Sequence, residues 1–231
     1  MPADLPDDIA ALTARLEKLE RRKERDRRAA HAKGLLQGIC SLLKPGDIVL
    51  DCGANVGAVT LPLAATGATV HAFEPDPFAF DALRRATQHL PNIILHNAAV
   101  GLQAGTIQLM RAENFSDNPR GASVKSTVIS GGRKIDETSG ETLEVALVSL
   151  PDIIAEHAAA SGEIAFLKMD IEGAELDILE TMLQQALFDS IRLTVCETHE
   201  HKFKALRPRF KTLRDAVAEA YPITKVNLDW I

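Results

Sequence analysis

The chain has only three cysteines, Cys40, Cys52 and Cys196, and none of their spacings makes a zinc site or a disulfide framework. Cys52 and Cys196 sit at the ends of apolar, strand-like runs, which fits reduced, buried thiols in a cytoplasmic protein. No apolar run nears the roughly 18 residues that cross a bilayer, and no signal-peptide pattern opens the chain. Internal repeats and low-complexity tracts are also absent. Positive charge is in the minority, with 26 Lys and Arg against 32 Asp and Glu, a net charge of −6 and a pI near 5.7. That balance excludes a general polyanion binder, and no nucleic-acid partner is expected. The glycine pattern of dinucleotide enzymes, G-x-G-x-x-G, is missing as well.

In its place stands DIVLDCGANVG at residues 47–57. Ile48, Val49 and Leu50 read as a buried strand, Asp51 ends it, and Gly53, Asn55 and Gly57 open a tight turn before a helical pattern at 58–65. A strand, a glycine loop and a helix start together make a nucleotide-type pocket, in which free N–H groups and the helix dipole are expected to face the ligand. An acid at the base of such a loop repels a pyrophosphate, whereas it suits a ligand with a cationic amine. One strand later, TVHAF at 69–73 ends in Glu74, where doubly wound folds grip ribose hydroxyls. Glu74 is equally suited to favouring the start of the helix that follows it.

These segments, followed by NAAVG (97–101), LKMDIEGAELDILE (167–180) and CETH (196–199), resemble the ordered motifs of FkbM-type S-adenosylmethionine-dependent methyltransferases. The resemblance runs from about Lys44 to His199. It implies a class I methyltransferase, Rossmann-like fold: α/β, doubly wound, with a mostly parallel sheet. It also implies O-methylation of a hydroxyl on a sugar, glycan or secondary metabolite. Asp51 and the Gly53–Gly57 backbone, with Asn55, are then expected to hold the methionine part of S-adenosylmethionine. Glu74 is expected at the ribose, and Asn97 and Ala98 near the adenine. Two other readings stand beside this one. A nicotinamide oxidoreductase shares the fold, and a non-catalytic cofactor-binding module would act through a basic N-terminal helix.

With 46% hydrophobic residues, 231 residues suffice for one α/β domain at 34–231 behind a charged helix at 1–33. In that helix Ile9, Leu12, Leu16 and Leu19 form a short coiled-coil seam, suited to pairing two copies through residues 7–19. Nine basic against four acidic residues between Arg15 and Lys33 leave a local +5, which suits either a solvated face or an anionic partner. Leu35, Leu36, Ile39, Leu42 and Leu43 then restore an apolar face.

Further elements are expected at 76–89 (helix, with Phe78, Ala82, Leu83 and Ala86 on its core face), 93–98 (strand) and 151–159 (helix). A strand at 164–169, a helix at 174–187, a strand at 191–196, a basic, solvated helix at 202–220 and a strand at 223–228 complete the run. The closing antiparallel strand usual in this fold has no evident sequence here, so either the hairpin at 105–148 does that work or the sheet is one strand short. Residues 101–150 break the alternation with an added hairpin, Thr106–Met110 and Leu143–Val148. Its long polar connection either caps the acceptor site or has no role. Asn114, Arg120 and Ser123 in it are candidate contacts to a small-molecule or glycan acceptor.

Asp170, Glu172, Glu197 and His199 all follow strand ends, the edge where open α/β sheets bind ligands. His199 is the favoured general base, because an ordinary histidine pKa near 6.5 lets it accept a proton at neutral pH. A carboxylate needs its pKa raised to do the same work. Asp170 is expected to position the acceptor or the cofactor amine, and Glu172 to shape the loop or cap the next helix. The same acids are able to hold a divalent cation, although nothing in their spacing requires one, and no metal ligand is assigned.

Overall fold

Val49 and Leu50 are fully buried in strand β1 (Ile48–Cys52), which pairs in parallel with β2 (Thr69–Phe73) on one side and β7 (Ile164–Met169) on the other. Apolar side chains on both faces are what a parallel strand covered by helices needs. The computed structural model describes residues 5–111, 127–128 and 142–230. Within these the main sheet has the order β3-β2-β1-β7-β8-β9 and is parallel throughout, with β3 at Ile93–His96, β8 at Ile191–Cys196 and β9 at Val226–Asn227. The chain runs outward from β1 to β3 and then, from β7, outward the other way. β1 and β7 therefore flank the topological switch point, where the crevice of an open α/β sheet opens.

Helices α2 (Thr60–Ala64), α3 (Pro77–Thr87), α4 (Leu150–Ser161), α5 (Glu175–Gln184) and α6 (Arg207–Ala220) join the strands. Asp76 caps α3 by accepting from Phe78 N, and Ser149 caps α4 by accepting from Asp152 N, each with a proline in the first turn. The core gathers Leu50, Phe73, Leu167, Leu179, Phe188 and Phe210.

Four expectations are corrected. Phe78 is 39% exposed, because α3 turns Ala79, Leu83 and Thr87 inward and so uses a register one residue later than expected. The strand expected at 93–98 is cut at Asn97. Its second half, β4 (Ala98–Gly101), leaves the main sheet for a smaller one of order β4-β6-β5. There β6 (Thr142–Ser149) pairs antiparallel with β5 (Gly105–Met110), which is the expected hairpin. Since the hairpin stands apart, it does not close the main sheet, which has no antiparallel strand among the described residues. Finally, α6 begins at Arg207, with Pro208 in its first turn, and Lys202 is not part of a solvated helical face. Lys202 instead forms an ion pair with Glu172.

The chain divides into two units, Met1–Ser41 and Leu42–Trp230. In the first, one helix, α1 (Leu5–Leu42), exposes Ile9, Leu12, Leu16 and Leu19 by 53–62%. Its charges pair along its own surface, as in Arg27 and Arg28 with Glu24. Exposed pairs of this kind contribute little stability.

Candidate functional site

A cavity of about 270 Å³ lies at the carboxyl end of the sheet, at the switch point. Its walls come from the loop after β1 (Gly53–Val56, Ala58, Val59), the end of β2 (Phe73–Pro75), β4 (Ala98–Val100), Leu109, Thr127 and Val128, and the loop after β7. That last loop supplies Asp170–Glu172 and Ala174, and Lys168 reaches in from the strand itself.

Three residues of the first loop have left-handed backbone: Gly53 (φ +79°), Asn55 (φ +48°) and Gly57 (φ +95°). Glycine at 53 is required by the neighbouring chain, since a Cβ there would stand 1.8 Å from the carbonyl oxygen of Asp170. The N–H groups expected to face a ligand are already in use. Gly53 and Ala54 both donate to Phe73 O, Gly57 to Ala54 O, Asn55 to Glu74 Oε2 and Val56 to Asn55 Oδ1. The loop is therefore shaped by internal hydrogen bonds, and from Gly53 to Gly57 it offers no free amide for an anion.

Glu74 lines the cavity. Both of its oxygens are oriented by the backbone, Oε2 by Asn55 N at 2.8 Å and Oε1 by Asp76 N at 2.9 Å. Burial pushes its pKa up to about 7, against these two donors, which favour the carboxylate. Ala98 is on the wall, but Asn97 is not. The Asn97 side chain donates to Glu74 O (2.8 Å) and Pro75 O (3.2 Å), so it holds the Glu74 turn.

Asp51 is also displaced from its expected place. It is fully buried beneath the cavity, with Oδ2 accepting from Thr60 Oγ1 at 2.6 Å and Oδ1 3.5 Å from the Lys168 ammonium. Lys168, which sequence reasoning missed, is the hub of this floor. It donates to Gly53 O (2.7 Å) and Cys52 O (3.3 Å) and lies 3.6 Å from Asp170 Oδ2. Burial works against its charge, but Asp170 and then Asp51 overcome that and push its pKa above the ordinary lysine value. The detectable signal was a lysine inside the otherwise apolar strand IAFLKM.

The four acid–base candidates do come together, yet only Asp170 and Glu172 reach the cavity wall. His199, 2% exposed, stands behind them. Its Nδ1 is 2.8 Å from Oε1 of the fully buried Glu175, a residue that sequence reasoning also passed over. Glu175 Oε1 further accepts from Ile171 N and Gly173 N, which fixes the loop after β7. The His199 Nε2 faces Glu172 at 3.6 Å and Asp170 and Glu197 at 3.8 Å each.

Burial alone would keep His199 neutral, but the hydrogen bond and charge of Glu175, then Glu172, raise its pKa to about 9. A neutral histidine base at pH 7 is thus not what this environment makes. The carboxyl groups move instead. Burial raises Glu172, against His199 and Lys202, and burial with Asp170 pushes Glu197 up to about 7. Glu172 also carries a left-handed backbone (φ +61°), and its carbonyl accepts from Thr127 Oγ1 at 2.7 Å. Thr127 and Val128 bring the long connection of the hairpin to the cavity, whereas Asn114, Arg120 and Ser123 lie outside the described residues.

Fold and site together define an open α/β protein whose switch-point pocket carries Glu74, Asp170, Glu172 and Lys168 on its wall and no free amide between Gly53 and Gly57. The chain belongs to the FkbM methyltransferase family: the model of the methyltransferase FkbM domain matches residues 51–220. It is an enzyme of the methyl-transferring class. It is 33% identical over 178 residues to 31-O-demethyl-FK506 methyltransferase FkbM of Streptomyces tacrolimicus, an alignment covering 68% of this chain and 67% of that protein. It is 26% identical over 187 residues to hexuronic acid methyltransferase AglP of Haloferax volcanii, covering 79% and 67%. Among solved structures, methyltransferase FkbM from Methylobacillus flagellatus superposes with a TM-score of 0.37 at 22% identity. That superposition covers 64% of this chain and 32% of the other, too slight a likeness to bear on the site.

Proposed function

We propose that this enzyme methylates a hydroxyl oxygen of a small-molecule or glycan acceptor with S-adenosylmethionine as donor. The observation that carries the reading is the pairing of a loop with saturated amides and a wall of carboxylates. A pyrophosphate needs the opposite arrangement, which counts against a nicotinamide cofactor. The residues fit the donor: Glu74 would hold the ribose hydroxyls, Asp170 the amine, and Phe73 with Ala98–Val100 the adenine. When bound, S-adenosylmethionine supplies an electrophilic methyl group on a sulfonium.

This chain's own part is alignment and proton handling. The Gly53–Gly57 loop and the β7 loop hold the two reactants against one another across a shared wall. Glu172, half-buried and facing the cavity, is the carboxylate suited to take the hydroxyl proton, with Asp170 steering. His199 then serves as a fixed positive charge behind them rather than as the base. An oxygen acceptor is supported by two relatives, one named for a 31-O position and one for a hexuronic acid. With no described helix long and apolar enough to cross a membrane, a cytoplasmic site of action is part of this proposal.

Calorimetry with S-adenosylhomocysteine tests the donor assignment, and labelled S-adenosylmethionine with fractionated cell extract tests transfer. Absence of binding to either compound overturns the reading. Tight binding with no labelled product from any fraction would favour a non-catalytic module.

A further inference from the structure

We propose that Arg111 is a positioning residue for the donor, holding from the second sheet the turn that carries Glu74. Arg111 directly follows β5, where the hairpin strand leaves for its long connection. Its guanidinium grips Asp76 with two hydrogen bonds, Nη2 to Oδ1 at 3.0 Å and Nε to Oδ2 at 3.2 Å. Asp76 in turn caps α3, and its own N–H donates to Glu74 Oε1 at 2.9 Å. Arg111, Asp76 and Glu74 thus make one chain of contacts from the small sheet to the cavity wall.

The Arg111 and Asp76 side chains are 12% and 1% exposed, so water and salt screen their attraction far less than in the exposed pairs of α1. A two-pronged guanidinium–carboxylate contact also fixes orientation as well as distance. Asn97 secures the same turn through Glu74 O and Pro75 O, but as a neutral amide it leaves the charge there unchanged.

That charge is the second consequence of the clamp. Among the described residues, Asp76 on its own turn and Lys168 from β7 act on Glu74 with their charges. Burial, and with it Asp76, favours the protonated acid, while the Asp76 and Asn55 N–H groups and Lys168 favour the carboxylate. Arg111 offsets the Asp76 charge, so its loss leaves a bare negative group beside Glu74 and strengthens the hold on the proton. The role in donor binding rests on the reading of Glu74 as the ribose contact, whereas the coupling of Arg111 to Glu74 does not.

Two titrations of the full chain test the proposal. Arg111→Gln keeps a hydrogen bond to Asp76 without the charge, and Arg111→Lys keeps the charge without the fork. In the ligand-free protein, nuclear magnetic resonance with isotope-labelled glutamate follows the Glu74 carboxyl against pH, its signal being the one missing from Glu74→Gln. Arg111→Gln should move its midpoint up by about half to one pH unit, and Arg111→Lys should leave it near the parent value. Calorimetry with S-adenosylhomocysteine then reads the consequence. Arg111→Gln should bind about two- to fivefold more weakly at pH 7 and match the parent at pH 9, where Glu74 is ionised in both. Circular dichroism confirms that each variant is folded. An unmoved midpoint, or a loss of affinity equal at every pH, marks a merely structural contact and overturns the proposal. Absence of binding by the parent strikes the donor assignment and this role with it, whereas parent binding with an unmoved midpoint strikes this role alone.

Discussion

Removal of the Glu74 carboxylate separates a ligand role from a structural one. Its two oxygens accept from Asn55 N and Asp76 N, so Glu74→Ala deletes the partner of two backbone donors and the group proposed to hold the ribose. An unpaired buried donor costs about 1–3 kcal/mol. At about 2–4 °C per kcal/mol for a domain this size, two of them lower Tm by roughly 4–24 °C. A hydrogen bond to a charged acceptor is worth about 1.5–3 kcal/mol, so S-adenosylhomocysteine should bind about 10- to 150-fold more weakly. Glu74→Gln keeps one oxygen for the backbone. It should therefore recover much of the Tm while remaining about tenfold weaker in binding.

Acidity gives a second handle. The folded pKa, pushed by burial to about 7, lies above the ordinary carboxylate value of 4.5, so the folded state holds this proton more tightly. Its contribution to stability therefore declines as pH rises from 4.5 toward 7. Ligand affinity, which needs the carboxylate, should strengthen over the upper part of that window, and Glu74→Gln should flatten the rise. Calorimetry across pH 6–8 together with thermal melts reads both effects. Wild-type affinity in Glu74→Gln would refute the ribose assignment, and a pH-independent affinity would refute the charge argument.

Gly53→Ala should lose soluble, folded protein, because its Cβ would collide with Asp170 O, an immovable backbone atom; normal yield and Tm would contradict the junction described. The half-buried cluster of His71, His96 and His157 predicts acid sensitivity. Burial, then His157 and His96, pushes His71 down to about 4, and His96 is lowered too. A depressed histidine pKa gives stability that is present above the unfolded value of 6.5 and lost as pH falls toward 4, here about 1–2 kcal/mol after discounting for solvent. Denaturant titrations at pH 7 and pH 5 measure it, and His71→Phe should remove much of the difference. Deletion of residues 1–30 should leave a folded, ligand-binding monomer, if the Ile9–Leu19 stripe pairs two copies. Light scattering decides, since an unchanged mass would exclude that pairing.

The parts of this protein legible from sequence are those governed by local rules. β7 and β8 fall where the mostly apolar runs Ile164–Met169 and Ile191–Cys196 put them, because a parallel strand covered by helices reads as a near-continuous hydrophobic stretch. Gly53 and Gly57 were legible as positive-φ positions, and Glu74 as a strand-end acid on the cavity. The use made of each group was harder to read. Asp51 looks like a ligand contact until β7 is laid beside it at the register Asp51↔Lys168, after which its charge is consumed by a neighbour 117 positions away. The loop amides likewise look free until the end of β2 takes two of them through Phe73 O. Sequence distance hides every such pairing.

His199 makes the same point in energetic form. Considered alone, its imidazole has a pKa suited to proton transfer at pH 7. In the fold, Glu175 bonds it from one side and three carboxylates face it from the other, so burial no longer decides its charge. The residue that sets this outcome sits in the first turn of α5, where an acid passes for a helix-dipole partner. Glu175 is fully buried and Lys168 nearly so, and both stand in segments otherwise read as packing. Burying an ion costs several kcal/mol unless it is paired, so a charge in a core position implies a partner before the partner is known. Applied to LKMDIEGAELDILE, that rule marks Lys168 and Glu175 as the buried charges behind the cavity, with Asp170 and Glu172 on its wall.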